Sequence, residues 1–271
     1  MQIPPSPDLA PYIRHYLLIN RHSGEAERLR FFSDGSTGLF FSSEEAGLLQ
    51  MDNESGSRFS DAFFYGQLSN YRDITFQGNG SWFIIVLKPD AINRLLAIPA
   101  IELKDQVIDL TDLFGPSSRE LPERLKEKTS ISDKINVAEA FFRKLIKTKH
   151  VLNDPMVSAA IAYMARHNGI VSVEQLAYFT GYQQRQLERR FNLAVGLSPK
   201  VLGNIIRLHV FLKQLRLNSF SELTALGYES GFYDQSHLIR EFKKITGLTP
   251  SQYKAHTNPL AVNFLRIDDK T

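Results

Sequence analysis

A tetrapeptide that occurs twice constrains this chain more than any other feature. Gly196-Leu197-Ser198-Pro199 returns 51 residues later as Gly247-Leu248-Thr249-Pro250. Upstream of each copy, at shifts of 50 or 51 residues, stand four matched positions: Ala177 and Gly227, Gly181 and Gly231, Leu187 and Leu238, Phe191 and Phe242. Each copy closes a segment typical of helix, sharp turn and helix, so one small unit is used twice. A compact enzyme site does not need this duplication, whereas reading two adjacent pieces of a DNA groove does.

The first unit is predicted to contain a helix capped by Ser172, a tight turn at Gly181 and a second helix over residues 183–194. Glycine supplies the positive φ that such a turn requires. Leu187 and Phe191, four residues apart, should face inward. The outward face then carries Gln184, Arg185, Glu188 and Arg189.

A support helix over 155–168 precedes this unit, and a long helix from Pro199 to about residue 218 follows it. At about 1.5 Å per residue, the long helix extends for about 30 Å and separates the two units. That distance matches the spacing of successive major-groove turns on one face of a duplex.

The second unit is predicted to run from a cap near Ser221 to a turn at Gly231, followed by a helix with Asp234 as N-cap. Leu238 and Phe242 repeat the buried pair. Its outward positions are Gln235, Ser236, His237, Ile239, Arg240, Lys243 and Lys244. Helix-turn-helix units present the N-terminal part of their second helix to the major groove, where such side chains reach base edges. Lys244 is a candidate phosphate contact, which positions a protein without specifying sequence. The tail to Thr271 is predicted to be mostly unstructured.

The charge is distributed unevenly along the chain. Residues 1–150 hold 18 Lys and Arg against 20 Asp and Glu, a balance of −2, whereas residues 151–271 hold 14 against 9, a balance of +5. A basic excess in one domain is the electrostatic footprint of nucleic-acid binding, although a solvated face has the same composition. We expect two domains, 1–150 and 151–271, with residues 148–154 as the linker.

Residues 153–256 resemble the DNA-binding domain of AraC-type (AraC/XylS) transcription regulators. The resemblance rests on VEQLAYFTGYQQRQLERRFNLAVGLSPKVL, IIRLHVFLKQL and SGFYDQSHLIREFKKITGLTPSQY. It implies base or groove contacts by Arg185, Glu188, Arg189, Gln235, Ser236, His237, Ile239 and Arg240. It also implies binding to promoter DNA through the major groove, with RNA polymerase as a further candidate partner.

The first half predicts an α+β protein with a different kind of domain. Short runs rich in aromatic and β-branched residues predict strands at 29–32, 39–42, 47–51, 63–65, 75–77 and 82–87, assembled as an antiparallel barrel or sandwich. Helices are expected at 93–96, 117–128 and 133–147. The segments RFFSDGSTGLFF and FYGQLSNYRDITFQGNGSWFIIVLKPDAINRLLAIP resemble the cupin-like domains of some AraC-type regulators. That resemblance implies a sensor for a small-molecule effector, a dimerisation module, or both.

Two assignments in this half stay open. Phe32, Phe41, Tyr65 and Trp82 are candidates for an effector pocket, but aromatic strand residues more often form core. Ile135, Ala138, Phe142 and Leu145 recur at a and d spacing, which fits either ordinary core or a homodimer seam.

Enzyme classes receive little support. The absence of cysteine removes disulfides, thiolate metal sites and the acceptor that alkyl transfer would need. Before His150 the only histidines are His15 and His22, without metal-ligand spacing, so we expect no metal and no cofactor. A cupin-type metal-dependent enzyme fused to a DNA-binding module, and an architectural DNA-binding protein without a ligand, are the alternatives. The start of the chain has neither signal-peptide nor membrane-span character, so we expect a cytoplasmic protein.

Overall fold

The structure is a computed structural model that describes residues 1–21, 27–43, 49–51, 61–76, 80–148, 154–217, 226–228, 230–232, 234–255 and 261–267. Within these ranges the chain has a β-rich N-terminal part and a helical C-terminal part. The fold class is therefore mixed, as the sequence predicts. Most of the linker predicted at 148–154 and the start of the second unit at 221–225 lie outside the described residues.

The described strands form two antiparallel sheets. They are β1 (Gln2–Ile3), β2 (Ile13–Arg21), β3 (Glu27–Phe31), β4 (Thr37–Ser42), β5 (Leu49–Met51), β6 (Ala62–Tyr65), β7 (Arg72–Phe76), β8 (Gly80–Leu87), β9 (Val107–Asp109) and β10 (Phe264–Arg266). The first sheet has the order β1-β2-β8-β4-β6-β9, and the second has the order β10-β3-β7-β5.

The predicted cupin-like barrel is not closed, because no pairing among the described strands joins the two sheets. The sheets are held instead by aromatic packing between their facing surfaces. Trp82 of the first sheet meets Phe76 of the second edge-on, with ring centroids 4.8 Å apart, and also packs against Phe40 at 5.5 Å. Packing of this kind does not require the edge strands to exchange hydrogen bonds.

The predicted strands correspond to β3 through β8, although their ends differ by several residues. The sequence interpretation missed β1, β2, β9 and β10. The prediction of an unstructured tail is wrong for residues 264–266, which pair with β3 at the edge of the second sheet. An isolated run of three strand residues has no stability alone, and only the neighbouring sheet gives it hydrogen-bond partners.

Helices flank the first sheet and form the C-terminal part. They are α1 (Ala91–Leu96), α2 (Leu110–Phe114), α3 (Leu121–Lys126), α4 (Ile131–Thr148), α5 (Pro155–Arg166), α6 (Val173–Thr180), α7 (Gln184–Val195), α8 (Pro199–Leu217), α9 (Gln235–Thr246) and α10 (Pro250–Ala255). Short 3-10 helices lie at Ala100–Leu103 and Pro116–Ser118. None of the helices in the described ranges is long and apolar enough to cross a membrane.

The apolar stripe of α4 faces the interior of the protomer. Ala138, Phe142 and Leu145 are buried in one cluster with the side chains of the first sheet, and Ile135 packs against that cluster. Between them, the buried carboxylate of Glu139 accepts hydrogen bonds from Ser6 and Arg143. The stripe is therefore core, one of the two roles left open by its spacing.

Candidate nucleic-acid interface and ligand cavity

The first helical unit is built by a cap and a left-handed turn. The Ser172 hydroxyl accepts from the Gln175 amide at 3.1 Å, and the Gln175 side chain accepts from the Ser172 amide at 2.9 Å. This reciprocal pair satisfies amides that would otherwise lack partners at the start of α6. Gly181 follows α6 with φ of +71°, the conformation that the sequence predicted there. Two helices joined by this turn form a helix-turn-helix.

The second helix of this unit, α7, has one buried and one solvent-facing side. Leu187 and Phe191 are fully buried. They join a cluster with residues of α5, α6 and α8, which fixes the rotation of the helix. The opposite side exposes Gln184, Arg185, Glu188 and Arg189. Gln184 donates to Glu174 at 3.2 Å. Arg185 and Arg189 have no carboxylate within ion-pair distance among the described residues, so both guanidinium groups are free to bind an anion.

The neighbouring Arg190 has a different role. It forms an ion pair with Asp154, the N-cap of α5, and its guanidinium lies 4.6 Å from the centre of the Tyr182 ring. The Tyr182 hydroxyl also donates to Asp154 at 3.3 Å. Arg190 therefore ties α7 to α5 and is not presented to a ligand.

The helix α9 repeats the division of α7 into a buried and an exposed side, and unlike α7 it has a side-chain cap. Asp234 caps it by accepting from the His237 amide at 2.7 Å, and Leu238 and Phe242 face inward. Gln235, Ser236, Ile239, Arg240 and Lys244 are exposed, whereas His237 is half-buried with its ring 5.9 Å from Phe232. Arg240 and Lys244 have no ion-pair partner in the part of the chain that the structure describes.

The long helix α8 holds the second unit in position. Arg207 donates to the Gly231 carbonyl at 2.9 Å, and its guanidinium lies 4.5 Å from the centre of the Phe232 ring. Asn204 donates to Glu241 of α9 at 3.0 Å. These contacts hold both α9 and the turn before it against α8. The 19 residues of α8 span about 28 Å at 1.5 Å per residue, close to the predicted length.

A cavity of about 520 Å³ lies between the two sheets and the C-terminal part. Most of its wall is apolar and comes from the facing strands: Leu17, Ile19, Phe31, Phe40, Phe63, Ile74, Ile84, Val86 and Val107. His209 and Lys213 of α8 and the segment Ala261–Phe264 complete the wall. This volume falls in the range of small-molecule sites in proteins, roughly 300 to 1,000 Å³.

One part of the wall is polar and holds more basic than acidic groups. Arg14 donates to the Asp34 carboxylate at 3.2 Å and to the Ser36 hydroxyl at 3.0 Å. Burial would raise the pKa of Asp34, but Arg14 and His209 outweigh it and lower that pKa on balance. Burial lowers the pKa of His15 and of His209, whose Nε2 lies 2.9 Å from the Ser33 carbonyl. Burial thus favours the neutral form of both imidazoles, and the positive charge of the wall comes from Arg14 and Lys213. A ligand with an apolar body and a polar or anionic end fits such a wall.

The four predicted pocket aromatics divide between the cavity and the core. Phe32 and Tyr65 line the cavity. Burial, and then the charge of Asp34, raise the pKa of the Tyr65 hydroxyl, so it is a neutral donor. Phe41 is not in the wall, because strand alternation directs it to the opposite face of β4, into the cluster against α4. Trp82 also lies outside the wall, within the aromatic packing that joins the sheets.

Sequence interpretation missed the basic residues of this cavity. Arg14 and His15 belong to β2, whose apolar neighbours Tyr16 to Ile19 carried a strand signal. His209 and Lys213 belong to α8, and nothing in a helical pattern indicates that its far side faces a sheet. No local sequence pattern indicates that β2 and α8 line the same cavity.

Comparisons with known proteins agree with the helix-turn-helix geometry. Residues 176–256 match a family described as a helix-turn-helix domain, and residues 1–109 match a family described as a domain of unknown function, DUF6597. A protein of Streptomyces antibioticus described as an AraC-like transcription regulator is 30% identical over 111 residues, and the F1 operon positive regulatory protein of Yersinia pestis is 30% identical over 108. Over about 40% of its length, the chain is therefore similar to a protein described as an AraC-like transcription regulator.

These matches cover part of each protein. They include 40% and 38% of this chain but only 36% and 35% of the two relatives. Among solved structures, ToxT of Vibrio cholerae O395 aligns over 89% of this chain and 97% of its own, with 16% identity and a TM-score of 0.49. The C-terminal domain of AraT from Geobacillus stearothermophilus aligns over 44% of this chain and 92% of its own, with 22% identity and a TM-score of 0.37.

Proposed function

We propose that this protein is a sequence-specific DNA-binding regulator of transcription. In this proposal residues 151–271 form the DNA-binding domain with two helix-turn-helix units, and residues 1–150 form a sensor domain. One observation carries the proposal: α7 and α9 each expose an arginine two residues beyond the buried leucine, and neither arginine has a described ion-pair partner. Free guanidinium groups on the exposed N-terminal halves of such helices suit recognition of guanine in the major groove.

The remaining exposed residues of the two helices, all polar except Ile239, extend this interface. Gln184, Arg185 and Glu188 lie beside Arg189 on α7, and Gln235, Ser236 and Ile239 lie beside Arg240 on α9. Lys244, further along α9, is placed to contact phosphate. The half-buried His237 contributes its amide to the cap of α9, so we assign it a smaller share of base recognition.

The experiment is a selection of bound sequences from random duplex DNA with the purified full chain, followed by titration of an enriched duplex at increasing salt. We expect two conserved blocks in the enriched sites and a binding constant that falls steeply with salt, because Lys and Arg contacts release condensed counterions. Recovery of random sequence, with no enrichment after several rounds, would refute sequence-specific binding.

The cavity supports a small-molecule effector. A cavity filled by its own side chains would have favoured an architectural protein, but a space of about 520 Å³ remains between the sheets. A thermal-shift screen of compounds with an apolar body and an anionic end tests this role, since a ligand of the folded state raises the melting temperature by mass action. Val86→Phe, which adds volume in the wall, is the matched control and should lose the response. A shift of equal size in Val86→Phe would place the ligand elsewhere.

A further inference from the structure

The C-terminal segment 261–267 joins the sheets to the second helical unit. Its strand β10 pairs with β3 in antiparallel register, with Leu265 opposite Arg30. The Ile267 amide donates to the Arg28 carbonyl at 2.9 Å, and the Phe32 amide donates to the Asn263 carbonyl at 3.2 Å. A segment from the C-terminal end of the chain thus completes a sheet of the N-terminal part.

The two faces of this segment contact different parts of the protein. Successive side chains in a strand point to opposite sides. Phe264 lines the cavity, with its ring 5.7 Å from Trp82. Leu265 is fully buried in the cluster that contains Phe211 of α8 and Phe242 of α9. One strand is therefore part of the cavity wall on one side and part of the core under α9 on the other.

The same segment is also attached to α10. The Tyr253 hydroxyl donates to the Val262 carbonyl at 2.9 Å, and Val262 lines the cavity. A ligand that displaces Val262 or Phe264 therefore moves a segment held by the helical unit.

We propose that residues 261–267 form part of the ligand-binding site and transmit its occupancy to the second helix-turn-helix unit. This inference rests on the proposed function, since it assigns a structural element to the link between the cavity and DNA. Binding in the cavity changes the position of Phe264, and the rigid backbone of β10 carries the change to Leu265 and the core beneath α9. Such a two-faced element is a physical route for coupling between two sites.

A reversible cross-link tests the coupling. Arg266 and Leu29 are direct partners in β10 and β3. The flanking hydrogen-bonded pairs make theirs a non-hydrogen-bonded pair, with Cα atoms about 4.5 Å apart, a distance compatible with a disulfide. Because the chain has no cysteine, Leu29→Cys with Arg266→Cys introduces a single possible bond. The control pair is Arg28→Cys with Thr75→Cys, direct partners in β3 and β7, which cross-links the same sheet without the segment.

The probe is 8-anilinonaphthalene-1-sulfonate, whose rings suit the apolar wall and whose sulfonate suits the basic groups. DNA affinity is measured by anisotropy, with and without saturating probe, on a duplex enriched in the selection. We expect the probe to change the affinity by about fivefold or more in the wild type, in the reduced Leu29/Arg266 variant and in the oxidised control, and to have no effect in the oxidised Leu29/Arg266 variant.

An equal effect in both redox states of that variant would overturn the proposal. So would the absence of any effect in the wild type, or the absence of saturable probe binding. A wild type that does not bind DNA at all would instead refute the proposed function. Titration of the probe in the absence of DNA would still show whether the cavity binds a ligand, so the two failures can be distinguished.

Discussion

Two adjacent arginines of α7 allow DNA recognition to be separated from stability. Arg189 is exposed and has no described ion-pair partner, whereas Arg190 is bound to Asp154 and stacked on Tyr182. Replacing each by alanine removes the same charge from the same helix, one residue apart. Non-specific electrostatics should therefore change almost equally in the two variants.

The structure predicts that Arg189→Ala mainly lowers DNA affinity and that Arg190→Ala mainly lowers the free energy of unfolding. Arg189→Ala removes no hydrogen bond or ion pair among the residues that the structure describes, so the free energy of unfolding should stay within about 0.5 kcal/mol of the wild type. Loss of a base contact should cost about 1 to 3 kcal/mol of binding, a fall in affinity of about 5-fold to 150-fold, and relax base preference in one half of the site. Arg190→Ala loses a half-exposed ion pair and a cation–π contact, which together stabilise the fold by about 1 kcal/mol.

The assay combines urea denaturation with binding-site selection for each variant. Arg240→Ala is the parallel change in α9 and should relax preference in the other half of the site, while Lys244→Ala should weaken binding to all sequences modestly. The reasoning is refuted if Arg190→Ala changes base preference and Arg189→Ala does not. It is equally refuted if Arg189→Ala and Arg240→Ala alter the same base positions.

Three further changes test the fold and its response to pH. Ser172→Ala should cost about 1 kcal/mol in denaturant unfolding by removing the cap of α6, and an unchanged midpoint would show that water replaces it. Gly181→Val should destabilise by more than Gly181→Asn, since φ there is +71° and asparagine tolerates that conformation better; equal midpoints would contradict this. Burial lowers the pKa of His209 below its usual 6.5, so stability falls as the pH drops through that value and the unfolded chain binds the proton more readily. His209→Gln should flatten the fall in denaturation midpoint between about pH 7.5 and 5.5, and an unaltered slope would count against this role of His209.

The sequence alone was sufficient for the caps, the Gly181 turn and the buried faces of α6, α7 and α9. Ser172 and Asp234 cap helices by bonding to amides three residues further on, and Gly181 adopts the positive φ of the turn. Each lies where the sequence predicts it. The spacing of Leu187 and Phe191 determined which face of α7 is buried, because helical periodicity leaves one choice. Caps, turns and amphipathic faces are short-range features, so the duplicated motif could be interpreted without tertiary information.

The cavity and the path of the C-terminal segment were decided only by the tertiary structure. Phe264 and Leu265 carry a strand propensity too short to predict pairing, and their partner β3 lies more than 200 residues away. Phe41 and Phe32 were equal candidates in the sequence, yet the first faces α4 and the second the cavity and α8. Which face of a strand meets a cavity depends on what packs against each side of the sheet, and those neighbours come from distant parts of the chain.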